Sequence, residues 1–413
     1  MEKTLDIKLN ILARDRFNKC FILADAKDAD MAFGIASPGK SPEMHNQEGK
    51  YRTIHEYREQ IKAIVQQGLV DIMLMSASTN EVLTIKEKAF KKSAVTPAAR
   101  ANDATDIHVI RHGTYIQQPS QPHQTATIDH IQCGKVECAP GERGLGANLG
   151  LYSCTFNNIP DLDFKTLEAY KAFRLEAEKK GFRHFLEVFD PNVNPKIPPE
   201  KIGEFVNDHI CRALAGVPKA SRPAFLKIVY HGPKHMEELC RYDESIIVGI
   251  LGGGSGTTYD AFKLLADAKK YGARVALYGR KINNAEHQLS FVQCLRLIAD
   301  DQLAADEGVK FYHGMLQKLN IKPYRPLAED MKATSQAVSY GGGTTTAAVD
   351  GTKDAAKTAS APAAGVKSEI SNPKSAPAWP MTYDGKPDFK RMTPAQKVAY
   401  HQAKRDKVFG KVQ

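Results

Sequence analysis

The sequence lacks any segment suited to crossing a membrane or directing secretion. In 413 residues there is no run of about 18 apolar residues, the length that a spanning helix needs. The mean hydropathy is −0.40. Residues 1–6 are charged and do not contain the apolar stretch of a signal peptide. We therefore expect a cytoplasmic protein that has no contact with a membrane.

Cysteine is scarce, with seven residues at scattered positions. Cys133 and Cys138 are close in sequence, but no second pair with similar spacing accompanies them. Long chains without a secretion signal rarely depend on disulfides. We therefore expect no disulfide framework and interpret most cysteines as small buried apolar residues. A zinc site at the cysteines is a less favoured alternative.

Nucleic-acid-binding patterns are absent as well. The chain has one Trp, no Arg-rich patch and no recognisable nucleic-acid module. The formal net charge is +10, and residues 331–413 carry +7 of it, with 13 Lys and Arg against 6 Asp and Glu. The positive charge therefore belongs mainly to the C-terminal end, and we expect no nucleic-acid partner.

A composition break near Met331 divides the chain. We assign residues 1–330 to a catalytic domain. Residues 331–378 contain few large apolar side chains and predict a disordered linker. Residues 379–413 predict a short basic tail with one helix, capped by Thr393 and with Pro394 at its first position.

The layout of this tail, a helix on a tether, suits docking to a protein partner. It is similar to the cargo peptides that send enzymes into bacterial protein compartments, so a compartment shell is one candidate partner. A disordered solubilising tail, or a tail that packs on its own domain, is an equally open alternative.

Eight short apolar runs before the break have the character of buried parallel strands. They occupy residues 21–25, 71–76, 107–111, 151–156, 184–189, 224–230, 246–251 and 275–279. Apolar residues recur at helical spacing between several of them, in residues 54–67, 164–180, 199–214, 259–271 and 286–299. This alternation predicts an α/β fold, a closed (β/α)₈ TIM barrel. We expect residues 114–150 to form an irregular excursion.

Lys227 lies in the middle of the sixth predicted strand. Because both faces of a parallel sheet are covered, its charge cannot simply lie on a solvated face. If Lys227 points into the barrel, Glu187 on the fifth strand should lie beside it at the mouth. Desolvation can make such an amine nucleophilic toward a carbonyl, and a nearby carboxylate can move the protons. A structural ion pair is the alternative.

The last two predicted strands end in residues suited to holding an anion. Gly253, Gly254 and Ser255 follow the seventh strand, and Gly279 and Arg280 follow the eighth. Glycine amides can approach an anion closely, and Arg can donate two hydrogen bonds to it. In TIM barrels these two loops commonly bind phosphate. We predict a phosphate site here, with a tight turn as the alternative.

Two other polar groups remain ambiguous. Residues 97–103 lead into the third predicted strand, which ends at Arg111 and His112, and a capped polar loop is an equally good interpretation. His231 follows the sixth strand and could shuttle protons, although a single loop histidine is more often incidental.

Taken together in this order, the strand ends resemble those of the class I, Schiff-base aldolases, the superfamily of tagatose-bisphosphate aldolase and the archaeal-type fructose-bisphosphate aldolases. The matching segments span about 260 residues and are Leu23-Ala24-Asp25, Phe185-Leu186-Glu187, Leu226-Lys227-Ile228, Gly252-Gly253-Gly254 and Gly279-Arg280.

This resemblance implies Schiff-base chemistry at Lys227, proton transfer by Glu187 and binding of a substrate hydroxyl near Asp25. It also implies phosphate binding at the glycine loop and at Arg280. Lys27 on the first strand is a further candidate for substrate binding. Neither a metal nor a cofactor would be required, and a homo-oligomer is expected.

We therefore predict an aldolase that makes or breaks a carbon–carbon bond in a phosphorylated ketose. One alternative is another phosphate-binding lyase or isomerase in which Lys227 is a base. The other is an inactive barrel that acts as a scaffold through its tail. The charged first strand and the residues 38–51 and 114–150 depart from the family pattern and leave the substrate open.

Overall fold

Eight parallel strands close into a barrel in the computed structural model, which describes residues 1–41, 51–254, 256–334, 380, 391–393 and 396. The strands are β1 (Ile22–Lys27), β2 (Ile72–Met75), β3 (Thr96–Arg100), β4 (Leu149–Thr155), β5 (Arg183–Phe189), β6 (Leu226–Ile228), β7 (Gly249–Leu251) and β8 (Val275–Tyr278). Each pairs with its sequence neighbours, and β1 closes the ring against β8. The predicted (β/α)₈ TIM barrel is confirmed.

Helices cover the outside of this barrel. The described helices are α1 (Thr4–Arg14), α2 (Ile54–Gln67), α3 (Ala77–Asn80), α4 (Ile128–Cys133), α5 (Pro160–Lys179), α6 (Ile202–Ala215), α7 (Pro233–Tyr242), α8 (Thr258–Lys270), α9 (Arg280–Asn283), α10 (Gln288–Ala299), α11 (Ala305–Lys318) and α12 (Leu327–Asp330). A π-helical turn, Glu81–Lys86, continues α3. None of the described helices is both long and apolar enough to span a membrane.

Alternation along the strands sorts the buried side chains into two layers. Ile22, Phe185 and Phe225 belong to the cluster that fills the barrel. Leu23 and Leu226 belong to the cluster that packs between the barrel and the helices. Because side chains alternate along a strand, residues with the parity of Phe185 or Phe225 point inward. This rule decides which polar residues reach the mouth.

The N-terminal helix α1 closes the barrel at the end opposite the mouth. Its buried Leu5 and Leu12 join the interior cluster of the strands. The Lys3 ammonium donates to the backbone carbonyl oxygens of Phe90, Ser93 and Val95 at 2.7–3.0 Å. These bonds fix the helix to the segment that leads into β3, and the burial of Leu5 and Leu12 shows that the helix covers that end of the core.

The third strand differs from the prediction. The strand is β3, Thr96–Arg100, whereas Ile107 ends a short 3₁₀ turn and the rest of the predicted strand 107–111 is loop. The prediction favours the apolar residues Ile107, Val109 and Ile110 over a segment that contains Pro97 and two alanines. In the barrel those small residues pair with β2 and leave room inside, so tertiary packing outweighs local propensity.

An excursion, residues 101–148, connects β3 to β4. It contains a two-residue antiparallel ribbon, Asp103–Ala104 with Pro122–His123, and then α4. Cys133 and Cys138 form a disulfide, against the expectation that the cysteines are small buried apolar residues, and the other five cysteines are free. The pairing follows from the left-handed Gly134 at the end of α4, which turns the chain back.

The predicted linker, residues 331–378, and the basic tail, residues 379–413, lie almost wholly outside the described residues. Thr393 and Gln396 are described and exchange two hydrogen bonds, of 3.0 and 3.3 Å, as an N-cap and its third helical residue do. This agrees with the cap predicted at Thr393. The linker and the docking role of the tail stay predictions.

The closure by α1 leads to a test of stability. Leu5→Ala removes a fully buried side chain from the barrel interior, so we expect it to lower the free energy of unfolding by about 2–5 kcal/mol. Ile7→Ala on the exposed face of the same helix should change it by less than about 1 kcal/mol. Urea unfolding followed by circular dichroism measures both, and equal effects would contradict the assigned packing.

Candidate active site

The pairing of β5 with β6 brings Lys227 and Glu187 together at the mouth of the barrel. The two residues are register partners, and both have the inward parity of Phe225 and Phe185. The Lys227 ammonium nitrogen lies 2.5 Å from Glu187 Oε1. The two side chains are 4% and 0% exposed, so this ion pair is almost completely removed from water.

The second carboxylate oxygen of Glu187 is held from the other side. Ser153 on β4 donates its hydroxyl to Glu187 Oε2 at 2.7 Å, and Arg100 on β3 donates to the same oxygen at 3.4 Å. Arg100 also donates to Ser153 Oγ at 2.8 Å. Glu187 therefore turns one oxygen to fixed donors and the other to the amine, which defines its orientation.

Arg100 extends this network to the first strand. Its Nε donates to Asp28 Oδ2 at 2.7 Å, and both side chains are buried. The two carboxylates of Asp28 and Glu187 thus face the two cations Arg100 and Lys227, and the set is formally neutral. Such balance is needed because an unpaired buried charge costs several kcal/mol.

The glycine loop after β7 approaches β8 very closely. A Cβ on Gly252 would lie 2.1 Å from the ring of Tyr278, and one on Gly254 would lie 2.9 Å from Arg280 Nε. Gly253 has a φ of +61°, a conformation that favours glycine. Only a chain without side chains fits this turn, and it brings backbone against the Arg280 guanidinium.

One cavity joins the amine to this loop. The residues that line it are Ala26, Asp28, Ala29, Phe33, Glu187, Phe189, Lys227, Leu251, Gly252, Gly253, Leu277, Gly279 and Arg280. Of the residues expected at the site, Lys227, Glu187, Gly253, Gly279 and Arg280 line this cavity. Gly254 lies beside Arg280, and Ser255 is outside the described residues.

Two expected site residues are not brought to the cavity. Asp25 and Lys27 have the outward parity of Leu23, and the Lys27 ammonium lies 5.8 Å from the ring of Tyr57 on α2. It donates to Gln288 on α10 at 2.9 Å and lies 3.6 Å from Asp25. The two charges therefore form a buried pair between β1 and its covering helices.

This outer pair has unusual electrostatics. Burial raises the pKa of Asp25 to about 6, against the opposing effect of Lys27. Burial likewise lowers the pKa of the Lys27 ammonium. Neither oxygen of Asp25 accepts a hydrogen bond among the described residues. These shifts reflect a poorly solvated position under helices, away from the cavity.

Three residues of the network were not predicted as site residues, namely Asp28, Arg100 and Ser153. Asp28 shares the parity of Ala24 and Ala26, so its place could have been found if the inward face of β1 had been known. Arg100 lies in the cluster 97–103, for which a capped polar loop is an equally good interpretation as long as the third strand is placed at 107–111, and Ser153 lies inside the predicted strand 151–156 without a signal that marks it.

A buried acid–histidine pair, Asp190 and His231, lies beyond the ends of β5 and β6. His231 Nε2 lies 2.8 Å from Asp190 Oδ1, and both residues are almost fully buried. The His231 carbonyl oxygen in turn accepts from His235 Nδ1 at 2.9 Å. His231 is therefore anchored, unlike a solvated loop histidine. Arg111 and His112 are exposed on the excursion and do not line the cavity.

Comparison with known proteins supports the fold. No protein-family profile matches the sequence, and no curated protein matches it significantly. Among solved structures, a fructose-bisphosphate aldolase from Slackia heliotrinireducens is similar with a TM-score of 0.53 and 13% identity, over 74% of this chain and 89% of that one.

Two further similar structures are Schiff-base enzymes. A Schiff-base-forming fructose-1,6-bisphosphate aldolase, studied through its reaction intermediates, has a TM-score of 0.51 and 16% identity, over 70% of this chain and 99% of that one. An archaeal fructose-1,6-bisphosphate aldolase with its catalytic Lys covalently bound to the carbinolamine intermediate has a TM-score of 0.50 and 17% identity. The match covers 70% of this chain and 98% of that one. These likenesses show that the barrel is one that class I aldolases also adopt.

The buried charge network generates a second stability prediction. Arg100→Leu removes the cation that Asp28 and Glu187 share, so we expect a loss of about 3–5 kcal/mol in the free energy of unfolding. Arg183→Leu breaks an exposed ion pair with Asp6 and should cost about 1 kcal/mol or less. Chemical unfolding of both variants makes the comparison, and a loss for Arg100→Leu no larger than for Arg183→Leu would contradict a buried network.

Proposed function

We propose that this protein is a class I aldolase that cleaves or forms a carbon–carbon bond in a phosphorylated ketose through a Schiff base on Lys227. The observation that carries the proposal is one buried amine, 2.5 Å from a carboxylate, in the same cavity as a glycine loop and an arginine. The fold shared with Schiff-base aldolases supports it.

The first half of the reaction uses the Lys227–Glu187 pair. Glu187 Oε1 accepts a proton from the ammonium, and the free amine attacks the ketose carbonyl. The resulting carbinolamine loses its hydroxyl as water when an acid protonates it, which leaves a protonated imine. Because Ser153 and Arg100 hold Oε2, the proton on Glu187 stays on the oxygen that faces the reacting nitrogen.

The imine then accepts the electrons of the breaking bond. A base removes the proton of the hydroxyl on the β-carbon, the second carbon from the imine carbon. The bond between the α- and β-carbons then breaks, and its electrons move toward the iminium nitrogen. An aldehyde leaves and an enamine remains on Lys227. Protonation of the enamine carbon and hydrolysis of the imine release the ketone and restore the amine. Asp28, the other carboxylate of the cavity, is a second candidate for these proton transfers.

The phosphate is assigned to the loops after β7 and β8. Backbone at Gly253 and Gly254, with the Arg280 guanidinium beside it, provides donors for a dianion. Gly279 is kept small by the Ala26 carbonyl oxygen, which would lie 2.7 Å from its Cβ. A carbonyl compound held there by its phosphate would extend along the cavity toward Lys227.

Trapping with borohydride tests the imine. Incubation with ketose phosphates and sodium borohydride should reduce the protonated imine to a stable secondary amine at Lys227. The mass of the peptide that contains Lys227 should increase by the mass of the bound ketone, minus one water and plus two hydrogens. Tandem mass spectrometry of the modified peptide would locate the adduct.

Matched variants give this experiment its control. Lys227→Met should lose both the adduct and the turnover, because thioether sulfur cannot form an imine. Lys234→Met changes a lysine that is 71% exposed and should keep both. A Lys227→Met protein with full turnover would reject the imine mechanism. Turnover of the wild-type protein without any adduct would favour the alternative in which Lys227 acts as a base.

The phosphate assignment predicts a selective loss. Arg280→Ala removes charge-assisted hydrogen bonds worth about 1.5–3 kcal/mol, so kcat/KM for a phosphorylated ketose should fall roughly 10- to 150-fold. For the same ketose without its phosphate, the change should be small. Steady-state kinetics on the two substrates distinguish these outcomes. An equal loss on both would show that Arg280 does not bind phosphate.

A further inference from the structure

A polar cluster in the excursion between β3 and β4 is not used by the proposed reaction. It consists of Asp103, His108 and His123. One ligand atom from each residue, a carboxylate oxygen and two imidazole nitrogens, lies within 4.8 Å of the other two. Three such atoms of two chemical types converge here from positions that are up to 20 residues apart in sequence.

The two-stranded ribbon is responsible for this convergence. Asp103 and His123 are direct register partners in the antiparallel pair. Residues opposite each other in such a pair project from the same face of the ribbon. His108 follows the 3₁₀ turn Thr105–Ile107, and its ring centroid lies 5.2 Å from that of His123 in an edge arrangement. The backbone itself thus places the three side chains together.

The carboxylate of this cluster is oriented and in need of a counter-charge. Asp103 is 3% exposed, and the Thr125 hydroxyl donates to its Oδ2 at 2.8 Å. Among the described residues, neither Lys nor Arg forms an ion pair with it. A buried carboxylate with only a neutral donor is costly, and a bound cation would supply the missing charge. The Thr125 bond is the kind of outer contact that orients a metal ligand.

From these contacts we infer that Asp103, His108 and His123 form a binding site for a divalent transition-metal ion, with Zn²⁺ as the best fit. Two imidazoles and one carboxylate are a ligand set that zinc accepts, with water in the fourth position. Imidazole nitrogens do not suit Mg²⁺ or Ca²⁺, which prefer oxygen.

The three ligand atoms are near enough for one ion to reach all of them after a local adjustment. Zinc–nitrogen bonds of about 2.0–2.1 Å in a tetrahedron place ligand atoms roughly 3.3 Å apart. The present spacing, at most 4.8 Å, therefore has to contract by up to about 1.5 Å when an ion binds. His123 is exposed, so its imidazole can turn toward the other two without disturbing the core.

The place of the site in the fold indicates a structural role. The ribbon begins three residues after Arg100, which holds the charge network of the cavity. Ser120, which lies between His108 and His123 in the sequence, donates its hydroxyl to Asp106. Asp106 also accepts a hydrogen bond from Thr155 at the mouth end of β4. A metal at this position would tie the segment after the 3₁₀ turn, which carries His108, to the two-stranded ribbon, and so would stiffen the excursion itself. It takes no part in the Schiff-base reaction, so the inference is independent of the proposed function.

Metal binding can be measured directly on the full-length, tag-free protein. After chelator treatment and buffer exchange, isothermal titration with Zn²⁺ should reveal one tight site per chain. Titration with Co²⁺ should give the visible absorption of a low-symmetry, four-coordinate ion with nitrogen ligands. The melting temperature should rise when Zn²⁺ is added.

Variants identify the ligands. His123→Ala removes an exposed side chain and should not affect folding. Because it removes a ligand itself, it should weaken Zn²⁺ binding by more than about 10-fold. This figure is the lower end of the roughly 10- to 100-fold effect of changing a residue that only supports a ligand. Thr125→Val should weaken binding within that same range of about 10- to 100-fold. His55→Ala changes an imidazole that is 81% exposed on α2 and should leave binding unchanged.

The outcomes separate cleanly. Stoichiometric binding that is lost in His123→Ala and kept in His55→Ala supports the site. Absence of a tight site in the wild-type protein would overturn the inference, as would equal affinity in His123→Ala and the wild type. Neither result depends on turnover, so failure here leaves the aldolase proposal standing.

Discussion

Removal of four charges from water at the mouth of the barrel constrains the rest of this structure. Glu187 lies between a cation that is fixed, Arg100, and a cation that the proposed chemistry must deprotonate, Lys227. The strand register holds this arrangement, because Ser153, Glu187 and Lys227 are successive cross-strand partners. A slip of one residue on β5 would turn Glu187 out among the helices and leave the buried Lys227 without a counter-charge. The barrel and its charge network therefore depend on each other.

The same arrangement explains how an ion pair can be prepared for catalysis. A carboxylate without a fixed hydrogen-bond donor on either oxygen could rotate away from the amine and toward water. Here Oε2 accepts from Ser153 and Arg100, so Oε1 stays directed at the amine. The fixed cation also limits the cost when the proton moves from Lys227 to Glu187, since Asp28 retains its own partner in Arg100. Preorganised partners of this kind reduce the rearrangement that each proton transfer needs.

Much of the fold could be predicted from periodicity, but the inward faces of the strands could not. Seven of the eight predicted strands overlap a barrel strand, and α2 has the predicted bounds, since their apolar patterns are strong. In β1, however, Asp25 and Lys27 share one face, and residues of both faces are buried, so polarity does not identify which face turns into the barrel. Chemical expectation favoured Asp25 and Lys27, whereas packing turns the alanines inward and presents Asp28 at the mouth.

The one misplaced strand had further consequences because β3 carries polar residues at its end. A segment with a proline and two alanines has weak strand propensity, and it forms a strand only because the closed ring needs narrow residues there. With the third strand placed at 107–111, nothing in the sequence directs Arg100, the cation that two carboxylates share, into the barrel. That placement also hides the register of the ribbon that follows, which pairs Asp103 with His123. Local propensity therefore fails at the segment where the charge network and the proposed metal ligands arise, as expected where functional demands outweigh local preference.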